Sequence, residues 1–277
     1  MKERINKLPQ EIQDLIYLAR DIAVRRGVCA YLVGGFARDL ILGVNNFDLD
    51  IVVEGDGIAF AEEFSRQLKT KLIRHRRFGT ATALAKPHLK VDFSTARKEF
   101  YPEPAHLPVV ESGSLRDDLF RRDFTINAMA ISIADHGFGE LVDFFDGKAD
   151  LHRKKIRVMH KLSFIDDPTR ILRAVRFEQR YDFRIEPESL KFLKDAVRLK
   201  MLDKVQPHRL RDDLILILKE SSPLKELRRI NTLSGFSFLY PGLKGSGKMF
   251  GLLGLVEKDL LLLFPDEKNQ HSLSEFM

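Results

Sequence analysis

The spacing of apolar and polar residues changes character along the chain. After Pro9, the run EIQDLIYLARDIAVRR repeats apolar residues at helical intervals, with proline suited to the first turn. CAYLVGG reads as a short apolar strand ending in paired glycines, and FARDLILG as a short helix closed by Gly43. FDLDIVVE alternates and then turns apolar, as a half-buried strand does, and IAFAEEFSRQL is helical. KLIRHRR, GTATALA and LKVDFSTA follow as three strands. Helix, strand, helix, strand, helix and then several strands predict a small mixed sheet with helices packed on it. Residues 97–118 are polar, carry prolines and show no period, which predicts a long loop of the kind that bears function. From about Asp146 the pattern is helical: LRAVRFEQRY, PESLKFLKDAV, HRLRDDLILILKE and PLKELRRI all carry that spacing. Residues 233–248, rich in Gly and Ser, predict an irregular linker, and GLLGLVEKDLLLLF a closing apolar helix. The fold class expected is α+β: a mixed-sheet head over residues 1–150, a helical region over 151–230, and a partial helical body over 231–277.

Composition narrows the setting. The chain has 277 residues, 44% hydrophobic and 31% charged, enough apolar surface for a packed core. No apolar run reaches the ~20 residues that span a bilayer, so no membrane partner is expected. Met1 to Gln10 is charged and has no apolar stretch, so no secretory leader is expected. Cys29 is the single cysteine; it has no internal disulfide partner, which fits a reducing cytoplasm. Its apolar surroundings, Val28 to Val33, predict a buried structural thiol. The net charge of +6 is concentrated: residues 151–230 hold 21 Lys and Arg against 12 Asp and Glu, whereas residues 1–150 hold 21 against 23. A basic middle third is the footprint expected of contact with a phosphate backbone.

The chemistry is densest in LVGGFARDLILGVNNFDLDIVV. Asp48 and Asp50, two apart in a strand, would share a face, where two carboxylates repel unless a cation lies between them. Divalent metal binding is the chemical use of such a pair. Just upstream, Gly34 and Gly35 join a strand to a helix that carries Arg38 and Asp39, and the two glycines and Arg38 are expected at the nucleotide. A side-chain-free turn lets backbone N–H groups approach a phosphate, and a helix N-terminus favours an anion. Glycine pair, helix and DxD strand in this order resemble the nucleotidyltransferase superfamily that includes DNA polymerase beta. The resemblance implies two-metal phosphoryl transfer with Mg2+, or Mn2+ in its place. It also implies a third acid on a neighbouring strand, for which VDFSTAR offers Asp92.

Further motifs resemble one branch, the class II tRNA nucleotidyltransferases (CCA-adding and A-adding) and bacterial poly(A) polymerases. RRDFTINAMA, residues 121–130, is similar to their nucleotide-binding motif and implies Arg122 on the triphosphate, Asn127 on ribose or phosphate, and Asp123 orienting Arg122 or bonding the ribose. LVDFFDGKADLHRKKIRVM resembles their connecting segment, with Asp146, Gly147 and Asp150 in the usual places. FIDDPTRILRAVRF, residues 164–177, resembles the motif in which an Asp and an Arg read the incoming base, here Asp167 and Arg170. At i, i+3 they are expected on one helix face, with Arg173 and Arg176 extending it toward triphosphate or RNA. Asp166 stands where the family commonly has Glu. In HRLRDDLILILKE, Arg209 and Asp213 match a last motif expected to give structural support. Arg97, Glu99 and Tyr101 match a flexible loop associated with switching from C to A addition. The resemblance implies an enzyme that adds AMP, CMP or both to the tRNA 3′ end from ATP and CTP; poly(A) polymerase action on other RNA is the alternative. RRDFTINAMA and DDPTRILRAVRF argue against a small-molecule nucleotidyltransferase, which needs no basic helical region, and intact Asp48 and Asp50 against a noncatalytic RNA-binding relative.

Overall fold

Alternation in the first half of the chain builds a seven-stranded sheet. A computed structural model describes residues 1–86 and 89–263, with the side chains of 259–263 excepted. The chain divides into two compact units: Met1–Phe100 with Pro108–Arg153, and Tyr101–Leu107 with the residues from Lys154 onward. The first contains, in order, α1 (Lys2–Ile5), α2 (Gln10–Arg26), β1 (Cys29–Val33), α3 (Gly34–Leu42), β2 (Leu49–Glu54), α4 (Gly57–Leu68), β3 (Lys71–His75), β4 (Thr80–Lys86), β5 (Leu89–Thr95), β6 (Arg97–Phe100), β7 (Val109–Ser112), α5 (Leu115–Phe120), β8 (Ala130–Ser132), β9 (Leu141–Val142) and α6 (Gly147–His152). The large sheet has the order β3-β4-β5-β2-β1-β8-β9. Only β2 and β5 run parallel; its other neighbours are antiparallel.

The apolar stripe of α2 supplies one side of the core: Ile12, Ile16, Ala19 and Ile22 are fully buried, and the helix stops at Gly27 in the left-handed region. α4 starts at Asp56, whose carboxylate accepts from the Ala59 N–H at 3.0 Å. Its buried Phe60 and Phe64 lie against Phe93 of β5, with ring centroids 5.7 and 4.9 Å away. Phe93→Ala would leave a void under this cluster and should lower the unfolding free energy by about 3–5 kcal/mol, read by urea denaturation.

Two expectations are corrected here. Cys29 is exposed, because the period of β1 buries Ala30 and Leu32 and turns Cys29 to the other face. The segment 97–118 is not an irregular loop. β6 and β7 pair as an antiparallel ladder, and Ser114 caps α5 in a reciprocal bond with Asp117.

The second unit is helical apart from one two-residue parallel ladder. It contains β10 (Lys155–Ile156), α7 (Ser163–Asp166), α8 (Arg170–Arg180), β11 (Arg184–Ile185), α9 (Pro187–Arg198), α10 (Pro207–Leu218), α11 (Pro223–Leu233) and α12 (Gly247–Leu263). Three of these helices open with proline, which fits a first turn whose N–H has no intrahelical partner. Glu178 of α8 accepts from Arg229 of α11 at 2.6 and 3.1 Å and from the Ile185 N–H at 3.3 Å, tying three elements together. Residues 101–107 belong here too, with the Ala105 N–H donating to the Asp166 carbonyl at 3.2 Å. Among the described residues no helix is long and apolar enough to cross a membrane. The expected closing helix begins at Gly247, and the last residue of that run, Phe264, lies outside the described residues.

Candidate active site

Strand register decides which side chains meet. Asp50 is the second residue of β2 and Asp92 the fourth of β5, and parallel pairing sets them side by side. Antiparallel pairing sets Thr82 of β4 opposite Asp92, and its hydroxyl donates a short bond to Asp92 Oδ1. Lys90 Nζ lies 3.4 Å from Asp92 Oδ2. Asp48 sits one residue ahead of β2, exposed, with its N–H bonded to Asn46 Oδ1 at 3.0 Å. The carboxylate aligned with Asp50 across the ladder is therefore Asp92, while Asp48 lies just before the strand begins at Leu49.

A cavity of about 320 Å³, within the size range of small-ligand sites, is lined by Asp50, Thr82 and Asp92 and by Arg97, Arg121 and Arg122. Burial pushes the Asp50 carboxyl up to about 6, with Asp92 and Asp48 adding to the rise and Arg122 and Lys90 opposing it. Among the described residues no three His, Cys, Asp or Glu side chains form a ready-made metal cage. An oxygen-only pair is nevertheless what a hard divalent cation takes when substrate phosphates and water complete its shell. A cation would also relieve the repulsion that raises Asp50. The donor set therefore fits Mg2+ or Mn2+.

Gly34 opens α3 with φ +65°, a left-handed conformation suited to glycine. A Cβ there would stand 2.8 Å from Arg122 Nη1 and 3.5 Å from Asp50 Oδ2, so its bareness brings backbone, guanidinium and carboxylate together. Gly35 is an ordinary helical residue whose Cβ would meet Arg38 Nη2 at 3.4 Å.

The arginines are held by carboxylates. Arg97 donates to the Phe78 carbonyl at 2.7 Å and to Glu99 at 2.9 Å. Glu99 also accepts from Arg121 at 3.2 Å. Arg121 and Arg122 both donate to Asp118, at 2.7 and 2.9 Å. Arg38, Asp123 and Asn127, expected on the nucleotide, are buried and committed to one another. Arg38 grips Asp39 through two bonds of 2.8 Å and donates to Asn127 Oδ1 at 2.6 Å, while Asn127 Nδ2 donates to Asp123 at 2.9 Å. This network fastens α3 to the turn that follows Arg122. Gly147 packs on the Thr125 carbonyl, where a Cβ would come within 2.2 Å, and Thr125 Oγ1 donates to Asp150 at 2.7 Å. Asp146 there adopts φ +59°.

Residues 30–157 match the family model described as "Poly A polymerase head domain". The A-adding tRNA nucleotidyltransferase of Geobacter sulfurreducens is 45% identical over 84% of this chain and 27% of its own. A solved tRNA nucleotidyltransferase, complexed with a primer tRNA and an incoming ATP analogue, is 38% identical over 90% of this chain and 71% of its own, with TM-score 0.79. The chain belongs to the tRNA nucleotidyltransferase and poly(A) polymerase family. A CCA-adding enzyme in an apo form superimposes at TM-score 0.87, with 42% identity over 98% of this chain and 63% of that one. The chain spans about a quarter of the length of the Geobacter relative.

The pair expected to read the base, Asp167 and Arg170, lies in the helical unit, and its geometry departs from the expected one. Asp167 and Arg170 do not share a helix face. Pro168 disfavours helical backbone at Asp167, which is extended (φ −130°, ψ 92°) between α7 and α8. Three donors converge on its Oδ1: the Thr169 N–H at 3.2 Å, the Thr169 hydroxyl at 2.7 Å and Arg209 at 2.8 Å. Arg209, expected only to support the helix, is thus the direct partner of Asp167. Arg170 is buried and donates to Ser163 Oγ. Arg176 is buried, stacks on Phe177 at 5.2 Å, and has its pKa lowered by burial and by Arg173. Burial raises the Asp213 carboxyl although Arg173 and Arg176 oppose the rise. Tyr101 falls in the 101–107 segment of this unit, whereas Arg97 and Glu99 lie in the sheet-bearing one. Spacing alone missed Arg121, Asp118 and Thr82. The doubled arginine in RRDF pointed to the first, and the Thr80–Thr82 alternation to the last.

Proposed function

We propose that this chain is a template-independent nucleotidyltransferase that adds AMP, alone or together with CMP, to the 3′ end of tRNA. The observation that carries the reading is the pairing, in one cavity, of two aligned carboxylates, Asp50 and Asp92, with three arginines, Arg97, Arg121 and Arg122. That is the charge pattern a metal-bound nucleoside triphosphate requires: oxygen ligands for the cation, guanidinium donors for phosphate. The 3′-hydroxyl oxygen bonds the α-phosphorus, the α–β anhydride breaks, pyrophosphate leaves, and the hydroxyl proton passes to solvent. Bound at Asp50, Asp92 and Asp48, Mg2+ would lower the charge barrier to that displacement. The three arginines hold the triphosphate, and the Gly34 turn keeps Arg122 beside Asp50. The sheet-bearing unit acts as catalytic head. In the helical unit, Asp167 and Arg170 are the base-reading pair, and Arg173 with the basic residues of 151–230 serves RNA or triphosphate. A reducing cytoplasm is the setting we assign.

The test is extension of tRNA transcripts ending before CCA, after C and after CC, each with Mg2+ and ATP, CTP or both, read at single-nucleotide resolution. Addition of A to the CC end supports the reading, with or without restoration of the full CCA. Long A-tails on other RNA, with no addition to tRNA, would replace it with poly(A) polymerase action. Asp167→Ala removes an anchored charged acceptor and should lower kcat/KM for the preferred nucleotide ~10- to 100-fold, with a much smaller effect on the other; competition between ATP and CTP reads the ratio.

A further inference from the structure

Asp118 closes the 97–118 segment and has no role of its own in the motifs above, yet it is the most enclosed carboxylate among the described residues of the head. Its side chain is 0% exposed. It lies on α5, one turn ahead of the doubled arginine, so that i+3 and i+4 side chains return over it. Arg121 donates to Oδ1 through both Nε (2.9 Å) and Nη2 (2.7 Å), and Arg122 Nη2 donates to Oδ2 at 2.9 Å. One oxygen is thereby assigned to each arginine. Burial alone would raise this carboxyl, but Arg122 and Arg121 outweigh it and hold it below the usual range.

Both arginines line the cavity, and Asp118 does not reach it. Two adjacent guanidinium groups repel, and without a shared counter-charge they would splay. A buried carboxylate between them fixes their planes. Arg97, Arg121 and Arg122 share two carboxylates, Asp118 and Glu99, which leaves one net positive charge in the cavity lining, where the Arg122 end is held 2.8 Å from the Cβ position of Gly34. On the outer side, Glu99 completes the hold on Arg121.

We propose that Asp118 is a positioning residue that sets Arg121 and Arg122 for the triphosphate of the incoming nucleotide without touching it. The proposal rests on the nucleotidyltransferase reading for its substrate. It predicts a defect in nucleotide binding rather than in RNA binding. In Asp118→Asn the amide nitrogen faces a guanidinium, and one arginine loses its acceptor. Asp118→Glu keeps the charge and moves it by one methylene.

The test measures KM for MgATP, KM for the tRNA primer, and direct binding of MgATP and of magnesium tripolyphosphate by calorimetry, for the full chain and both variants. The expected result for Asp118→Asn is a rise of tenfold or more in KM for MgATP and in the Kd for both probes, with primer KM within twofold. Asp118→Glu should fall between the two. A merely structural role would lower the melting temperature and the active fraction while leaving KM and Kd of the folded protein unchanged, and that outcome overturns the proposal. So would a variant pair in which neither protein folds, because Asp118 would then be a stability residue first. Should the wild-type chain extend no RNA, the calorimetric Kd still decides: weaker tripolyphosphate binding in Asp118→Asn supports the positioning role while the proposed reaction falls.

Discussion

Asp50→Asn is expected to abolish nucleotide addition and, in the same protein, to raise the melting temperature measured without metal. The two effects have one cause. Asp50 is pushed up to about 6 by burial and by the neighbouring carboxylates of Asp92 and Asp48. A carboxyl whose folded pKa lies above its unfolded value of 3.8 favours the folded state when protonated. That contribution is complete below pH 3.8 and is lost as pH rises through 6. At pH 7.5 the ionised group costs up to roughly 3 kcal/mol, the equivalent of the rise from 3.8 to about 6. Asparagine keeps the shape and removes that cost, so the metal-free variant should melt several degrees higher at pH 7.5 and show little difference at pH 4. Activity should fall by roughly a thousandfold or more, the scale of losing a group that stabilises transition-state charge. Calorimetry at both pH values and single-turnover extension check the pair. An Asp50→Asn protein that loses stability at pH 7.5 would mean the carboxylate is paired, not strained.

The elements that carry this site were legible where the pattern was strong. Alternation in FDLDIVVE and LKVDFSTA placed Asp50 and Asp92 on strands, and the apolar stripe of α2 placed the helix beneath the sheet. What stayed hidden depends on pairing partners far along the chain. The register of β2 on β5 sets Asp92 directly beside Asp50, and no local spacing encodes it. The β6–β7 ladder escaped notice because RKEF and VVES do not alternate into a core; their strands are joined partly by ions, with Lys98 and Glu111 3.0 Å apart. Asp167 and Arg170 looked like a helix-face pair by spacing, yet Pro168 was the local signal that breaks the helix between them. The mutual bonds of Arg38, Asn127 and Asp123 join residues up to 89 positions apart, which spacing within either motif does not encode.

Gly34→Ala should cost far more activity than stability. The atom a new Cβ would strike, Arg122 Nη1 at 2.8 Å, is the far end of a flexible side chain, so the clash can be relieved by moving the guanidinium. The remaining folding cost is the left-handed backbone at φ +65°, about 1–2 kcal/mol for an alanine. The relief is what damages function. Displacing Arg122 breaks its hold on Asp118 at 2.9 Å and leaves a methyl 3.5 Å from Asp50 Oδ2; on the proposed function it also withdraws a donor from the triphosphate and crowds the path of its metal-bound phosphate. A positioning error of about 1 Å in such a site is worth ~100-fold, and kcat/KM for MgATP should fall by at least that much while the melting temperature drops only a few degrees. Gly35→Ala is the internal control. Its backbone is ordinary helix and its Cβ would meet Arg38 at 3.4 Å, so the loss should stay under about tenfold, and alanine is the better helix former. Equal losses in the two variants would show that the turn tolerates no side chain for reasons of helix entry alone. A loss confined to Gly34→Ala, accompanied by weaker MgATP binding and unchanged primer binding, places the defect at Arg122.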